Sequence, residues 1–138
     1  MIPKPKPRAD IAIVTVIETE LAAAKLAYGI KPTDKESRDV DGLRYWETTA
    51  RGMDAGSELT IVVTMVGEAR NVQMTNACHR LFNTYEVGAC FLVGIAASLK
   101  DYVGLGDVVA AEDMVLDYEG QRLEPTGAKR RPKPYTLN

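Results

Sequence analysis

FLVGIAASLKDYVGLGDVV, residues 91–109, decides how this chain is read. An apolar run, Phe91-Leu92-Val93, breaks at Gly94 into the small-residue stretch Ile95-Ala96-Ala97-Ser98. Gly104 and Gly106 then precede Asp107 and a second apolar run. Short apolar runs bounded by glycine are the pattern of strands buried on both faces, as in a parallel sheet. Such strands end in tight turns where a backbone has to pass close to something.

Outward from this stretch the same pattern recurs. IAIVTVI (11–17) is a β-branched run, and ETELAAAKLAYG follows it at once. Leu21, Ala24, Lys25 and Tyr28 fall at helical spacing, acids occupy the first turn, and Gly29 is placed to end the helix. Residues 31–42 are polar, carry Pro and Gly, and read as a loop. LRYWETTA (43–50) and ELTIVVTMV (58–66) flank the turn residues of RGMDAGS and predict a hairpin, with Tyr45 and Trp46 as packing residues. Val72, Met74, Thr75, Cys78, Leu81, Phe82 and Tyr85 predict an amphipathic helix over 71–85. GACFLVGI (88–95) reads as a buried strand, and DVVAAEDMVLDY (107–118) begins as one. The tail from Glu119 has little apolar content and reads as loop. The order β-α-β-β-α-β-β points to an α/β fold, mostly parallel with one antiparallel hairpin. Residues 1–9, rich in Pro and Lys, read as a flexible lead, and 10–138 as a single domain.

Composition narrows the function. Apolar residues are 46% and charged residues 26%, an ordinary globular balance. A net charge of −2 makes no electrostatic case for nucleic acid or an anionic membrane as partner. No apolar run is long enough to span a bilayer, and MIPKPKPRAD lacks a signal-peptide core, so a cytoplasmic protein is expected. Cys78 and Cys90 fall in the predicted helix and strand and read as buried, reduced thiols. One histidine, His79, on the helix, gives no metal-ligand cluster, so no metal and no cofactor is expected. GLGD precedes a strand rather than ending one, and is no dinucleotide fingerprint.

Ligands of open α/β sheets bind beyond the carboxyl ends of the strands. Three such ends carry candidate residues. The first runs into Glu18-Thr19-Glu20, the third into Gly67-Glu68-Ala69-Arg70-Asn71, and the fourth into Gly94-Ile95-Ala96-Ala97-Ser98. If the strands are parallel neighbours, one rim offers carboxylates, close backbone approach and a helix start suited to an anion. Each element also has a plain structural reading: Glu18 and Glu20 as helix-dipole acids, Gly67 as a turn, Glu68 and Arg70 as solvated charges.

Taken together, ADIAIVTVIETELAAAK (9–25), VGEARNVQM (66–74) and residues 91–119 resemble the nucleoside phosphorylase superfamily, which includes the methylthioadenosine/S-adenosylhomocysteine nucleosidases. The resemblance runs in order from Ala9 to about Tyr118, and is nearest to nucleosidase-type domains attached to larger bacterial defence and signalling proteins. It implies a three-layer α/β/α fold with a mixed, mostly parallel sheet, of which this chain corresponds to the N-terminal half. It implies cleavage of the N-glycosidic bond of a purine nucleoside or nucleotide, with Glu20 activating water and Gly67, Glu68, Arg70, Gly94, Ile95, Ala96 and Ala97 lining the substrate. Leu92 and Ile95 stand where phosphorylases of the family hold phosphate with Arg and Ser or Thr. That favours hydrolysis over phosphorolysis. Ala97-Ser98 replaces a Gly-Gly pair, and Arg70 a glycine. A homo-oligomer is implied as well. Two alternatives remain open: a non-catalytic nucleoside-binding module, and an oligomerisation module.

Overall fold

The structure, a computed structural model, describes residues 5–54, 56–67, 71–96, 101–112, 114–117, 121–124, 127–130 and 133–136. The chain divides into two compact units, Met1–Ala96 and Ala97–Asn138.

The first unit is an α/β fold: a five-stranded mixed sheet with two helices. Its strands are β1 (Arg8–Thr15), β2 (Arg38–Val40), β3 (Leu43–Arg51), β4 (Glu58–Met65) and β5 (Glu86–Leu92), in the order β2-β3-β4-β1-β5. β1 pairs parallel with both β4 and β5, while β2, β3 and β4 form an antiparallel meander. The two parallel pairs bring the carboxyl ends of β1, β4 and β5 to one rim. The β-branched run at 11–15 is the central thread of that arrangement, and Ala12, Ile13, Val14 and Thr15 are all buried.

Side-chain alternation along the strands feeds two cores. On one face Ala12, Val14, Tyr45 and Val62 pack with Ala77, Leu81 and Tyr85, contributed by and just after α2 (Asn71–Thr84). On the other, Ile13, Trp46, Ile61 and Val63 pack with Leu21 and Ala24 of α1 (Glu18–Ala27). A one-residue slip of β1 against its neighbours would exchange these two sets, so burial on both faces pins the register. α1 ends as its sequence predicts. Gly29 has φ +72°, its amide donates to Leu26 O, and the Ile30 amide donates to Lys25 O. These two bonds form a Schellman motif, with Ile30 buried behind it.

Several expectations need correction. The segment 31–42 is not all loop, because β2 lies within it. Asp41 (φ +53°) and Gly42 (φ +78°) make the two-residue type I′ turn that joins β2 to β3. Asp-Gly between short extended runs is a hairpin signal, but Arg38-Asp39-Val40 carries too little apolar character to show as a strand. Residues 8 and 9, read as part of the flexible lead, begin β1. Lys6 Nζ and Pro7 O are also bonded, to Phe82 O and the Glu86 amide. The buried stripe of α2 runs through Met74, Ala77, Leu81 and Tyr85, whereas Val72, Thr75 and Phe82 are exposed. β5 is apolar in composition like a central strand, yet it pairs on one side only among the described residues. Cys90, Phe91 and Leu92 on it are accordingly exposed, and Cys78 is half-buried rather than a core thiol.

One close approach inside the sheet is diagnostic. A Cβ added at Gly88 would lie 2.8 Å from the backbone oxygen of Asp10 on β1. Neither partner there is a flexible tip. Gly88→Ala should therefore cost about 1–3 kcal/mol in urea unfolding.

Among the described residues the second unit contains four short strands. β6 (Met114–Asp117) pairs antiparallel with β9 (Lys133–Thr136), and β7 (Gln121–Glu124) pairs antiparallel with β8 (Gly127–Arg130). Within the tail, residues 121–124, 127–130 and 133–136 are thus paired strand rather than loop. Residues 107–112, expected to open a strand, adopt none, and the strand in that region starts at Met114.

Candidate active site at the sheet rim

Glu20 organises the rim. It is the third residue of α1, and its Oε2 reaches back to the amide of Ile17, the residue that caps the helix, at 3.2 Å. Alone, that is half of a capping box, a purely structural use of a glutamate. Two further bonds go beyond it. The Val16 amide donates to Oε2 at 2.8 Å, and the Ile95 amide, 75 residues away, donates to Oε1 at 3.0 Å. The carboxylate therefore joins the turn after β1 to the turn after β5. Three backbone donors hold its pKa below the ordinary 4.5, with the Ile95 amide contributing most, then Val16; partial burial works the other way. Glu20 is an anion throughout the physiological range.

The turn at 94–96 is shaped to this carboxylate. A Cβ on Gly94 would stand 2.8 Å from Glu20 Oε1. Val93 still donates to Val14 O at 2.9 Å, so the chain leaves the sheet only at Gly94. The clashing atom is the end of a flexible side chain. Gly94→Ala should consequently lower stability by less than about 1.5 kcal/mol, yet displace the carboxylate. Displacements of this size cost on the order of 10²-fold in rate. Thermal melting alongside turnover would separate the two effects.

Gly67 joins the same constellation from β4. It has φ +83°, and its amide donates to Val16 O at 3.1 Å. Val16 thus bonds Glu20 through its N–H and Gly67 through its C=O. Of the residues singled out from sequence, the structure gathers Glu20, Gly67, Gly94 and Ile95. Ala96 is exposed next to them. Glu68, Arg70 and Ala97 lie outside the described residues, as does Ser98. Glu18 is exposed and points elsewhere, its carboxylate 4.0 Å from the Arg44 guanidinium. His79 is exposed on α2, its Nδ1 3.2 Å from the Asn83 amide nitrogen. Among the described residues no three His, Cys, Asp or Glu side chains gather as metal ligands, and no helix is long and apolar enough to cross a membrane.

Sequence reasoning missed two features. The Val16 and Ile17 amides carry no side-chain signal. A cavity of about 380 Å³ opens beside Gly67, between the start of β3, the end of β4 and α2. Its lining residues are scattered over 42–80 and have no sequence motif.

A carboxylate held by backbone donors at the carboxyl ends of parallel strands, beside glycine turns and an open cavity, has the form of an α/β enzyme site. Comparison with known proteins finds similarity to curated nucleosidases. The chain is 28% identical over 128 residues to ATP nucleosidase Cap17 of Escherichia coli strain KTE188, covering 93% of this chain and 25% of that protein. ATP nucleosidase Cap17 of Escherichia coli matches with the same identity and coverage. The chain thus spans about a quarter of the length of these curated relatives. No family model matches it. No solved structure matches it.

Proposed function

We propose that this chain carries the water-activating part of a nucleosidase site, hydrolysing the N-glycosidic bond of a purine nucleoside or nucleotide. The observation that carries the reading is the Glu20 carboxylate, shared between the β1 turn and the Gly94-Ile95 turn. The similarity to proteins named ATP nucleosidase supports it and suggests ATP as substrate. The first unit, with a helix on each face of its sheet, is in this reading part of a three-layer α/β/α domain of the phosphorylase and nucleosidase type.

In the proposed reaction the C1′–N bond breaks, its electron pair leaves with the base, which takes a proton from solvent, and the ribose becomes an oxocarbenium ion. Water then attacks C1′, and Glu20 accepts its proton. A carboxylate with a lowered pKa is a weak base, but weakness suits this order of events. Water bonded to a cationic carbon is strongly acidic, so proton transfer needs little basicity. Before attack, the same negative charge favours the oxocarbenium ion electrostatically. The Gly94-Ile95-Ala96 turn lies along the base, and Gly67 lets the ribose approach the backbone. Leu92, paired with Val14, and Ile95, whose amide is bonded to Glu20, present no side-chain donor to phosphate, which favours water as the nucleophile.

Chromatography of free base after incubation with adenosine, inosine, methylthioadenosine, AMP and ATP tests this reading. Base released from at least one of them is the expected result. Binding without release would move the chain to the class of nucleotide-binding modules, and absence of both from folded protein would refute the proposal.

A further inference from the structure

The cavity beside Gly67 differs in charge from the rest of the chain. Arg44 comes to it from β3 and Arg80 from α2, and among the described residues no Asp or Glu lines it, although the whole chain carries −2. Among the described residues no carboxylate pairs with Arg80, whose Nη1 donates to the Asp41 carbonyl at 2.8 Å. Arg44 lies with its guanidinium carbon 5.6 Å from the Trp46 ring centroid, and only the exposed Glu18 approaches it, at 4.0 Å. A second cavity, of about 290 Å³, shares Arg44 and Trp46 but mixes Lys25 and Lys35 with Glu18, Asp34 and Glu36. Among the described residues, the charges lining the cavity beside Gly67 are thus of one sign and those lining the second are mixed.

Its position along the rim matters as much as its charge. Glu20 sits over the ends of β1 and β5, and the cavity over β3 and β4. In the order β3-β4-β1-β5 these lie two strand spacings apart, roughly 10 Å. That is about the reach from an anomeric carbon, across a ribose, to a 5′-phosphate chain. Between them lies Gly67, where an added Cβ would find nothing within 4 Å among the described residues.

We propose that this cavity takes the 5′-phosphate chain of a nucleotide, with Arg44 of β3 and Arg80 of α2 as its cations. The assignment of the reacting end to Glu20 rests on the nucleosidase reading. Guanidinium groups suit phosphate because their paired N–H donors match two oxygens at once. A cleft of one charge sign concentrates the field on an anion. The cavity thereby selects nucleotides over nucleosides, while the Gly94 turn handles the base in both.

Trp46, the chain's single tryptophan, lines the cavity and reports on it. Its fluorescence, with calorimetry as a second readout, is followed as the protein is titrated with sodium tripolyphosphate, ATP and adenosine. Tripolyphosphate and ATP should bind saturably and more weakly as salt rises. Arg44→Gln and Arg80→Gln should each weaken both by at least about 10-fold and leave adenosine unchanged. Arg51→Gln, an exposed arginine outside the cavity, should change nothing. Absence of tripolyphosphate binding, ATP affinity unchanged in both cavity variants, or an equal loss in Arg51→Gln would overturn the proposal. Base release from ATP and adenosine is measured on the same samples. Equal cleavage of the two by the wild type and both cavity variants retires the phosphate site and keeps the nucleosidase. Arginine-dependent capture of tripolyphosphate with no base released from any compound retires the nucleosidase and keeps the site.

Discussion

Glu20→Gln should reduce base release by about 10²- to 10⁴-fold, the range of a lost general base. The substitution removes the charge and swaps one oxygen for an amide NH₂. The remaining oxygen fits best where Oε2 accepts from Val16 and Ile17, which leaves the new NH₂ facing the Ile95 N–H. Two donors then oppose each other, and the tie between the two turns is lost. Stability should fall by about 1 kcal/mol, the low end for a stranded donor, because water reaches this site. The pH dependence follows with its sign. A carboxylate whose folded pKa is depressed adds stability that is fully present above its ordinary 4.5 and is lost as pH falls through the lower folded value. Asp10 acts in the same direction, chiefly through the Thr60 amide. The wild type should therefore lose stability below about pH 4.5 more steeply than Glu20→Gln. Parallel acid-unfolding curves would contradict the assignment of this carboxylate.

Leu81→Ala should be the most damaging change to the fold, costing about 2–5 kcal/mol. Leu81 is fully buried, on the α2 face that meets Ala12, Val14 and Val62. Its surroundings resist collapse. β1 is hydrogen-bonded on both sides, and the Tyr45 and Tyr85 rings lock edge to face, 5.2 Å between centroids. Tyr85 is further anchored by hydrogen bonds linking its hydroxyl to Glu47 and to Arg38 Nε. At about 4–8 °C per kcal/mol for a domain near 100 residues, the melting temperature should drop by about 8 °C or more. Val72→Ala, on the exposed side of the same helix, should stay within about 0.5 kcal/mol. A loss below about 1 kcal/mol at Leu81 would mean that α2 does not rest on the sheet as described.

Much of the first unit was legible in the sequence because its signals are local and agree with one another. Ile11–Thr15 is β-branched and continuous, and it is buried on both faces. Gly29 stops α1 through a motif that needs its positive φ. The hairpin of β3 and β4 announces itself by the turn residues between two apolar runs. What escaped depends on non-local facts. The apolar residues of β5 read as buried, and only the strand order shows that the strand pairs on one side. β2, β7, β8 and β9 pair through backbone groups, with too few apolar residues to stand out. Glu20 and the Gly94 turn could be singled out from sequence, since each ends a strand. Their direct hydrogen bond, across 75 residues, could not. Arg44 and Arg80 escaped for the same reason, since only the fold brings a strand residue and a helix residue to one cavity.

The sugar product distinguishes the hydrolysis proposed at the Glu20 rim from phosphorolysis. The protein is incubated with ATP, with and without inorganic phosphate, and the products are resolved by mass spectrometry. Hydrolysis at Glu20 should give free adenine and a sugar with a free anomeric hydroxyl that still carries its triphosphate, at a rate unaffected by phosphate and lost in Glu20→Gln. A sugar 1-phosphate, a rate that requires phosphate, or equal rates in the wild type and Glu20→Gln would contradict it.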